Sequence, residues 1–148
     1  MTLQHQLQAD LKTAMRSGDH IRKSVIRYLR AQIHNEEIAA KTTLDDQSMS
    51  ILLGKQAQQR RDSIEAFSKG GRDDLADKEK AELAIILEYL PEQIPEEQII
   101  DLVRKVIVEV GAQGPKDMGK VMGPIMQKVR GKADGKKVSS IVSSLLNK

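Results

Sequence analysis

A group of cations lies within ten positions near the C-terminal end of the chain: Lys128, Arg130, Lys132, Lys136 and Lys137. The residues between them suit a turn between helices, because Gly131 can end one helix in a left-handed conformation and Asp134 can cap the next. A turn alone does not require so many cations. Positive side chains beside the amide groups of a helix N-terminus favour a bound phosphate. The sequence therefore predicts that this turn contacts the backbone of a nucleic acid.

The charge of the chain is divided unevenly. Residues 115–148 hold 8 basic and 2 acidic side chains, a net charge of +6, whereas residues 1–114 hold 16 and 19, a net charge of −3. Such an asymmetry indicates a polyanionic partner, with solvated lysines of no function as the alternative. The chain has one Phe, two Tyr and no Trp, so it offers few rings on which bases could stack. Contacts to RNA would follow charge and shape, and no readout of a DNA sequence is expected.

A second row of basic side chains lies near the N-terminus. Lys23, Arg27, Arg30 and His34 recur every three or four positions, which places them on one face of a helix. A solvated face is favoured over an RNA contact at this position.

Residues that could perform catalysis are not grouped in any recognisable pattern. The chain lacks a Gly-x-Ser-x-Gly turn, a phosphate loop and a glycine-rich dinucleotide motif. It has no cysteine, and its three histidines lie in separate helical contexts. The neighbouring carboxylates of Glu36 and Glu37 point to different sides of a helix, as do those of Asp73 and Asp74. We therefore expect no catalytic residue, no metal ion and no cofactor.

Apolar residues recur every three or four positions along most of the chain, and this spacing predicts an all-α fold. The segment from Ile99 to Val110 is rich in β-branched residues and could form a strand. Lys105 and Glu109 interrupt it at a spacing of four, which favours a helix. Further along, Met118, Met122 and Met126 share a stripe with other apolar residues. Ordinary core is favoured there over a groove for a partner.

Prolines divide the predicted helices into two groups. Pro91 and Pro95 impose extended backbone on themselves and on the residues before them. We therefore expect an N-terminal helical bundle or hairpin over residues 1–91 and a small unit of three helices over residues 92–148. Pro124 predicts a bend or break in the helix that carries the methionines.

The composition indicates a compartment in which proteins are not stabilised by disulfides. The chain has no cysteine and no apolar run approaching the roughly 18 residues of a membrane span, and its first ten residues lack the order of a secretory signal. We expect a cytoplasmic protein that does not contact membranes.

Several short segments together carry a resemblance to a known family. They are QRRDSIEAF at Gln59–Phe67, KGGRDDL at Lys69–Leu75, YLP at Tyr89–Pro91, MGKVM at Met118–Met122 and GKADG at Gly131–Gly135. In this order and spacing the chain resembles the YqeY-like proteins over nearly its whole length. That family shares its C-terminal helical unit with the tail of GatB, a subunit of the glutamine-dependent amidotransferase that acts on Glu-tRNA or Asp-tRNA.

The resemblance implies a tRNA-binding type of accessory module, because the amidotransferase tail touches tRNA and the catalytic parts of that enzyme have no counterpart here. A label of carbon–nitrogen ligase with glutamine as amido donor would be inherited from the larger enzyme. The alternative is a protein-interaction subunit or activator of an amidotransferase or another translation factor. An independent enzyme is least favoured. The candidate residues facing tRNA or another structured RNA are Lys120, Lys128, Arg130, Lys132, Lys136 and Lys137.

Overall fold

The computed structural model describes residues 2–147, and helices account for most of them. The helices are α1 (Leu3–Ser17), α2 (His20–Ala40), α3 (Asp46–Lys69), α4 (Asp73–Leu87), α5 (Glu96–Val110), α6 (Met118–Val129) and α7 (Gly135–Leu146), with a 3-10 turn at Pro115–Asp117 before α6. Residues 2–147 contain no strand. The all-α prediction is confirmed, and the β-branched segment Glu96–Val110 is a helix.

Local sequence explains where many of these helices begin and end. The side chains of Thr2, Asp19 and Asp45 each accept a hydrogen bond from an amide in the first turn of α1, α2 and α3. Such caps satisfy amides that have no partner inside the helix. At the other end, α1 stops at Gly18 and α5 at Gly111, both with left-handed backbone. Glycine adopts this conformation without steric cost.

The chain folds as two compact units, Met1–Pro91 and Glu92–Lys148. In the N-terminal unit, α1 packs against α2 and α3 packs along α4. The core of this unit includes Leu7, Ile26, Leu29, Leu53 and Ile86. Aliphatic side chains supply nearly all of it, as the scarcity of aromatic residues requires.

The C-terminal unit packs α5, α6 and α7 around a second core. Val103, Val106, Val121, Ile125 and Val142 are fully buried there. The methionines of α6 lie at the edge of this core and are partly buried against it, as the core interpretation predicted: Met118, Met122 and Met126.

Of the bend or break predicted at Pro124, the break does not occur. Helix α6 runs without interruption from Met118 to Val129 with Pro124 inside it. The proline removes one amide donor, whose partner would have been the carbonyl of Lys120. Val121 and Ile125, on either side of that gap, are both fully buried. Their burial holds the helix together through the position that lacks a hydrogen bond.

Candidate nucleic-acid interface

The turn between α6 and α7 begins where α6 ends at Val129. Gly131 has a φ of 77°, and the N–H of Lys132 donates to the carbonyl of Val129 at 2.8 Å. Val129 and Ala133 are buried in the C-terminal core. Between these two anchors, Arg130 is exposed and Lys132 is half-buried. The buried positions therefore fix the turn and leave its charged side chains at the surface.

The segment before α5 holds the same turn from a second side. The side-chain Nε2 of Gln93 donates to the carbonyl of Gly131 at 3.0 Å. The backbone N–H of Ile94 donates to the carbonyl of Lys132 at 2.8 Å. Ile94 also packs against the C-terminal core. The sequence predicted only extended backbone for this segment, because no local pattern indicates a contact across 38 positions.

Three of the predicted cations are available to a ligand. Lys128, Arg130 and Lys132, which we call the turn cations, form no ion pair within residues 2–147. Lys128 and Arg130 are exposed. Because nearby carboxylates do not neutralise them, their charge is directed to solvent.

Two other predicted residues are already paired with carboxylates. The Nζ of Lys120 lies 3.4 Å from Asp117, and the Nζ of Lys137 lies 3.2 Å from Glu96. The amide of Gln113 donates to Asp117 at 2.9 Å, and this bond together with the charge of Lys120 lowers the pKa of the Asp117 carboxyl. Surface pairs of this kind are weak. A ligand would nevertheless have to compete with them for Lys120 and Lys137.

The expectation that free amides at the start of α7 would help to hold a phosphate needs correction. Oδ1 of Asp134 accepts a hydrogen bond from the backbone N–H of Lys136 at 3.0 Å. A carboxylate therefore occupies one amide that a phosphate would need, and its negative charge lies at the same helix end. The contribution of Lys136 is limited to its side chain. The turn can attract phosphate through side-chain cations more than through backbone amides.

The basic row on α2 keeps the shared helix face that its spacing predicted. Arg27 and His34 are exposed, and Lys23 and Arg30 are half-buried. Within residues 2–147 the three cations of this row form no ion pair. This row, unlike the turn cations, belongs to the N-terminal unit, in which 14 basic and 14 acidic side chains balance.

Histidine and acidic side chains do not gather into a metal-binding cluster within the described part of the chain. Residues 2–147 hold no group of three His, Asp or Glu side chains that could bind a metal ion.

Burial and the neighbouring Asp10 raise the pKa of the Tyr89 hydroxyl, which donates to Asp10. This bond ties α1 to the end of the N-terminal unit. None of the helices within these residues is long and apolar enough to cross a membrane.

Comparison with known proteins relates nearly the whole chain to one family. The family described as Yqey-like protein matches residues 4–146. A relative from Lachancea thermotolerans is 40% identical over 113 residues, covering 74% of this chain and 60% of that protein. A relative from Candida glabrata is 42% identical over 88 residues, covering 58% and 48%. One from Saccharomyces cerevisiae is 39% identical over 101 residues, covering 68% and 54%.

Each of these three relatives carries the name Altered inheritance of mitochondria protein 41, mitochondrial. The chain spans about half to three fifths of their length. The prediction of a cytoplasmic protein is wrong in view of these mitochondrial relatives. Its physical basis was too weak, because a lack of cysteine excludes disulfides without distinguishing one reducing compartment from another.

Proposed function

The chain belongs to the YqeY-like protein family, and from this premise we propose that it is an accessory RNA-binding protein whose C-terminal unit contacts the phosphate backbone of tRNA. Lys128, Arg130 and Lys132 make the contact, and the protein performs no catalysis of its own. The observation that supports this most strongly is the absence of ion pairs at the turn cations within residues 2–147, in a segment, residues 115–148, whose net charge is +6. Unpaired cations retain their full attraction for phosphate.

The fixed geometry of the turn supports the same proposal. Hydrogen bonds from Gln93 and Ile94 hold the turn carbonyls, so the cations extend from a backbone with little freedom to move. A rigid base lowers the entropy lost when a ligand binds. Lys136 and Lys137 add positive charge beside the turn, whereas Lys120 lies near the other end of α6. A carboxylate lies beside Lys120 and another beside Lys137.

The proposal is tested by reversing the charge of three residues in each of two variants. One variant carries Lys128→Glu, Arg130→Glu and Lys132→Glu. The matched control carries Lys23→Glu, Arg27→Glu and Arg30→Glu, which changes the net charge by the same amount on α2. Binding of an unmodified tRNA transcript at physiological salt is measured by fluorescence anisotropy. We expect the turn variant to lose about 100-fold in affinity and the control to lose about tenfold or less.

Equal losses from the two variants would indicate diffuse attraction rather than a site. If the unaltered protein does not bind tRNA at physiological salt, the proposal fails. The alternative of a protein-interaction subunit or activator would then be preferred.

A further inference from the structure

The hairpin of α1 and α2 is strongly basic, and the RNA-binding proposal makes no use of it. Residues 11–34 hold six basic side chains and one acidic side chain, a net charge of +5. The N-terminal unit as a whole is neutral, with 14 basic and 14 acidic side chains. The positive charge of this unit is therefore concentrated in its first hairpin.

Five of the six cations lack a carboxylate partner within the part of the chain that the structure describes. We call them the hairpin cations: Lys12 and Arg16 on α1, and Lys23, Arg27 and Arg30 on α2. Each is exposed or half-buried. The sixth, Arg22, lies 3.4 Å from Asp19 and 2.6 Å from Glu88, so the one acidic residue of the hairpin is already paired. The hairpin cations are left to attract anions from outside the chain.

The basic row of α2 adjoins α1 along one side of the hairpin. Gln4 of α1 lines a small pocket together with Arg30 and His34 of that row. Met15 follows Gln4 by eleven positions, about three helical turns, and therefore lies on the same side of α1. The two helices run antiparallel through the short link at residues 18–19 and pack against each other. This course places Met15 near Lys23, at the turn end of the hairpin.

Two large apolar side chains are exposed at the same turn end. Met15 is 53% exposed in the last turn of α1, and Ile21 is 50% exposed in the first turn of α2. Lys12 lies one turn before Met15 on the surface of α1, and Arg16 follows it directly. The turn end of the hairpin therefore combines unpaired positive charge with apolar side chains that the protein itself does not cover.

This combination favours one class of anionic partner over two others. An RNA backbone supplies phosphates but offers nothing to Met15 and Ile21. A partner helix needs a row of apolar anchors, and polar Gln4 and Gln8 lie on the side of α1 where further anchors would be needed. A lipid surface needs no such row, because its headgroup phosphates attract cations while isolated apolar side chains enter the boundary with the acyl chains.

We infer that the turn end of the α1–α2 hairpin binds the surface of an anionic membrane. The hairpin cations contact the lipid phosphates, and Met15 and Ile21 enter the boundary between headgroups and acyl chains. The expectation of no membrane contact considered segments that cross a bilayer, whereas this hairpin lies on its surface. The inference stands independently of RNA binding by the C-terminal unit.

The binding test is cosedimentation of the full chain with lipid vesicles at physiological salt. One set of vesicles is phosphatidylcholine alone, and the other contains about 30 mol% phosphatidylglycerol. We expect binding to the anionic vesicles to be at least about tenfold tighter than to the zwitterionic ones. The inference is overturned if the protein does not bind the anionic vesicles, or if it binds both sets equally.

A charge variant locates the attraction. Lys12→Gln, Arg16→Gln and Lys23→Gln together should weaken binding to the anionic vesicles about 100-fold, because each cation near a lipid surface contributes about fivefold. The matched control carries Lys55→Gln, Lys78→Gln and Lys105→Gln, which removes the same charge from exposed positions elsewhere. This control should lose about threefold or less.

Equal losses from the two charge variants would mean diffuse attraction and would overturn the inference. A variant with Lys128→Gln, Arg130→Gln and Lys132→Gln tests the other basic surface of the chain. A larger loss from this variant than from the hairpin variant would place the lipid on the C-terminal unit, which also contradicts the inference.

An apolar variant separates lipid from RNA without altering charge. Met15→Gln with Ile21→Gln should weaken binding to the anionic vesicles about tenfold, because the two side chains no longer gain by leaving water. Binding of a tRNA transcript and the Tm should stay unchanged. The matched control is Ile38→Gln with Val108→Gln, at positions 62% and 81% exposed, and it should change none of the three.

Unchanged vesicle binding by the Met15→Gln, Ile21→Gln variant would overturn the inference, because charge alone would then explain the attraction. Weaker tRNA binding by the same variant would overturn it as well, since the turn end of the hairpin would then contact RNA.

Discussion

Two arginines of the N-terminal unit and the turn cations of the C-terminal unit differ in whether carboxylates accompany them. In the N-terminal unit, Arg22 lies 2.6 Å from Glu88, and Arg60 lies 3.3 Å from Glu79 and 3.5 Å from Glu82. The first pair joins α2 to the residue that follows α4, and the other two join α3 to α4. In the C-terminal unit, the turn cations form no ion pair within residues 2–147. The comparison teaches that the number of cations in a segment says less about function than whether carboxylates accompany them.

The largest expected effect concerns Arg60, which joins three helices. Its Nη1 binds two glutamates of α4, and its guanidinium lies 5.2 Å from the ring centroid of Tyr28 on α2. Arg60→Ala leaves two half-buried carboxylates close together without a cation. We expect a loss of about 2–3 kcal/mol in the free energy of unfolding, less than for a fully buried pair because all three side chains keep some contact with solvent.

Urea denaturation measures this loss, and Arg130→Ala is its counterpart in the C-terminal unit. Arg130 has no ion pair to lose within the described residues, so its substitution should change stability by less than about 0.5 kcal/mol. Similar losses of unfolding free energy for Arg60→Ala and Arg130→Ala would mean that paired and unpaired cations contribute equally to stability.

A smaller effect is expected for Tyr89→Phe. Burial and Asp10 raise the pKa of Tyr89 above its usual value, so the folded protein favours the neutral phenol. This stabilisation is complete below the unfolded pKa of about 10 and is lost as the pH rises through the higher folded pKa. Tyr89→Phe should lower stability at neutral pH by about 1 kcal/mol.

The pH dependence of unfolding provides the check. The loss of stability above about pH 10 should be smaller in the Tyr89→Phe variant than in the unaltered protein. Parallel pH profiles for the two proteins would mean that the Tyr89 hydroxyl does not contribute in this way.

The smallest expected effect separates the capping role of Asp134 from its charge. Asp134→Asn keeps a good N-cap residue and removes the carboxylate from the start of α7. Stability should change by less than about 0.5 kcal/mol, while tRNA affinity should rise about two- to fivefold because a repulsive charge is gone. Thermal melting and anisotropy measure the two quantities. Weaker binding by this variant would place the phosphate away from the turn.

Helix type and helix ends were largely predictable, because they depend on local spacing and on capping residues such as Asp19, Asp45 and Asp134. Continuity of α6 through Pro124 was not, since it depends on burial by other helices. The pairing of Lys120 with Asp117 had a local signal in their i, i+3 spacing. The pairing of Lys137 with Glu96 had none.

The candidate interface was predictable as a charged turn but not as a set of available side chains. The sequence gives six candidate cations equal weight, and the structure distinguishes them by their distances to carboxylates and by the bonds from Gln93 and Ile94. Long-range packing decides these features.

The salt dependence of tRNA binding tests the central claim most directly. The unaltered protein is compared with a variant carrying Lys128→Gln, Arg130→Gln and Lys132→Gln across a range of salt concentrations. Each phosphate neutralised contributes about −0.7 to −0.9 to the slope of log affinity against log salt. If the turn cations each contact one phosphate, the slope for the variant should be shallower by about 2 to 3. Equal slopes for the two proteins would contradict the account, because they would mean that these cations release no counterions when tRNA binds.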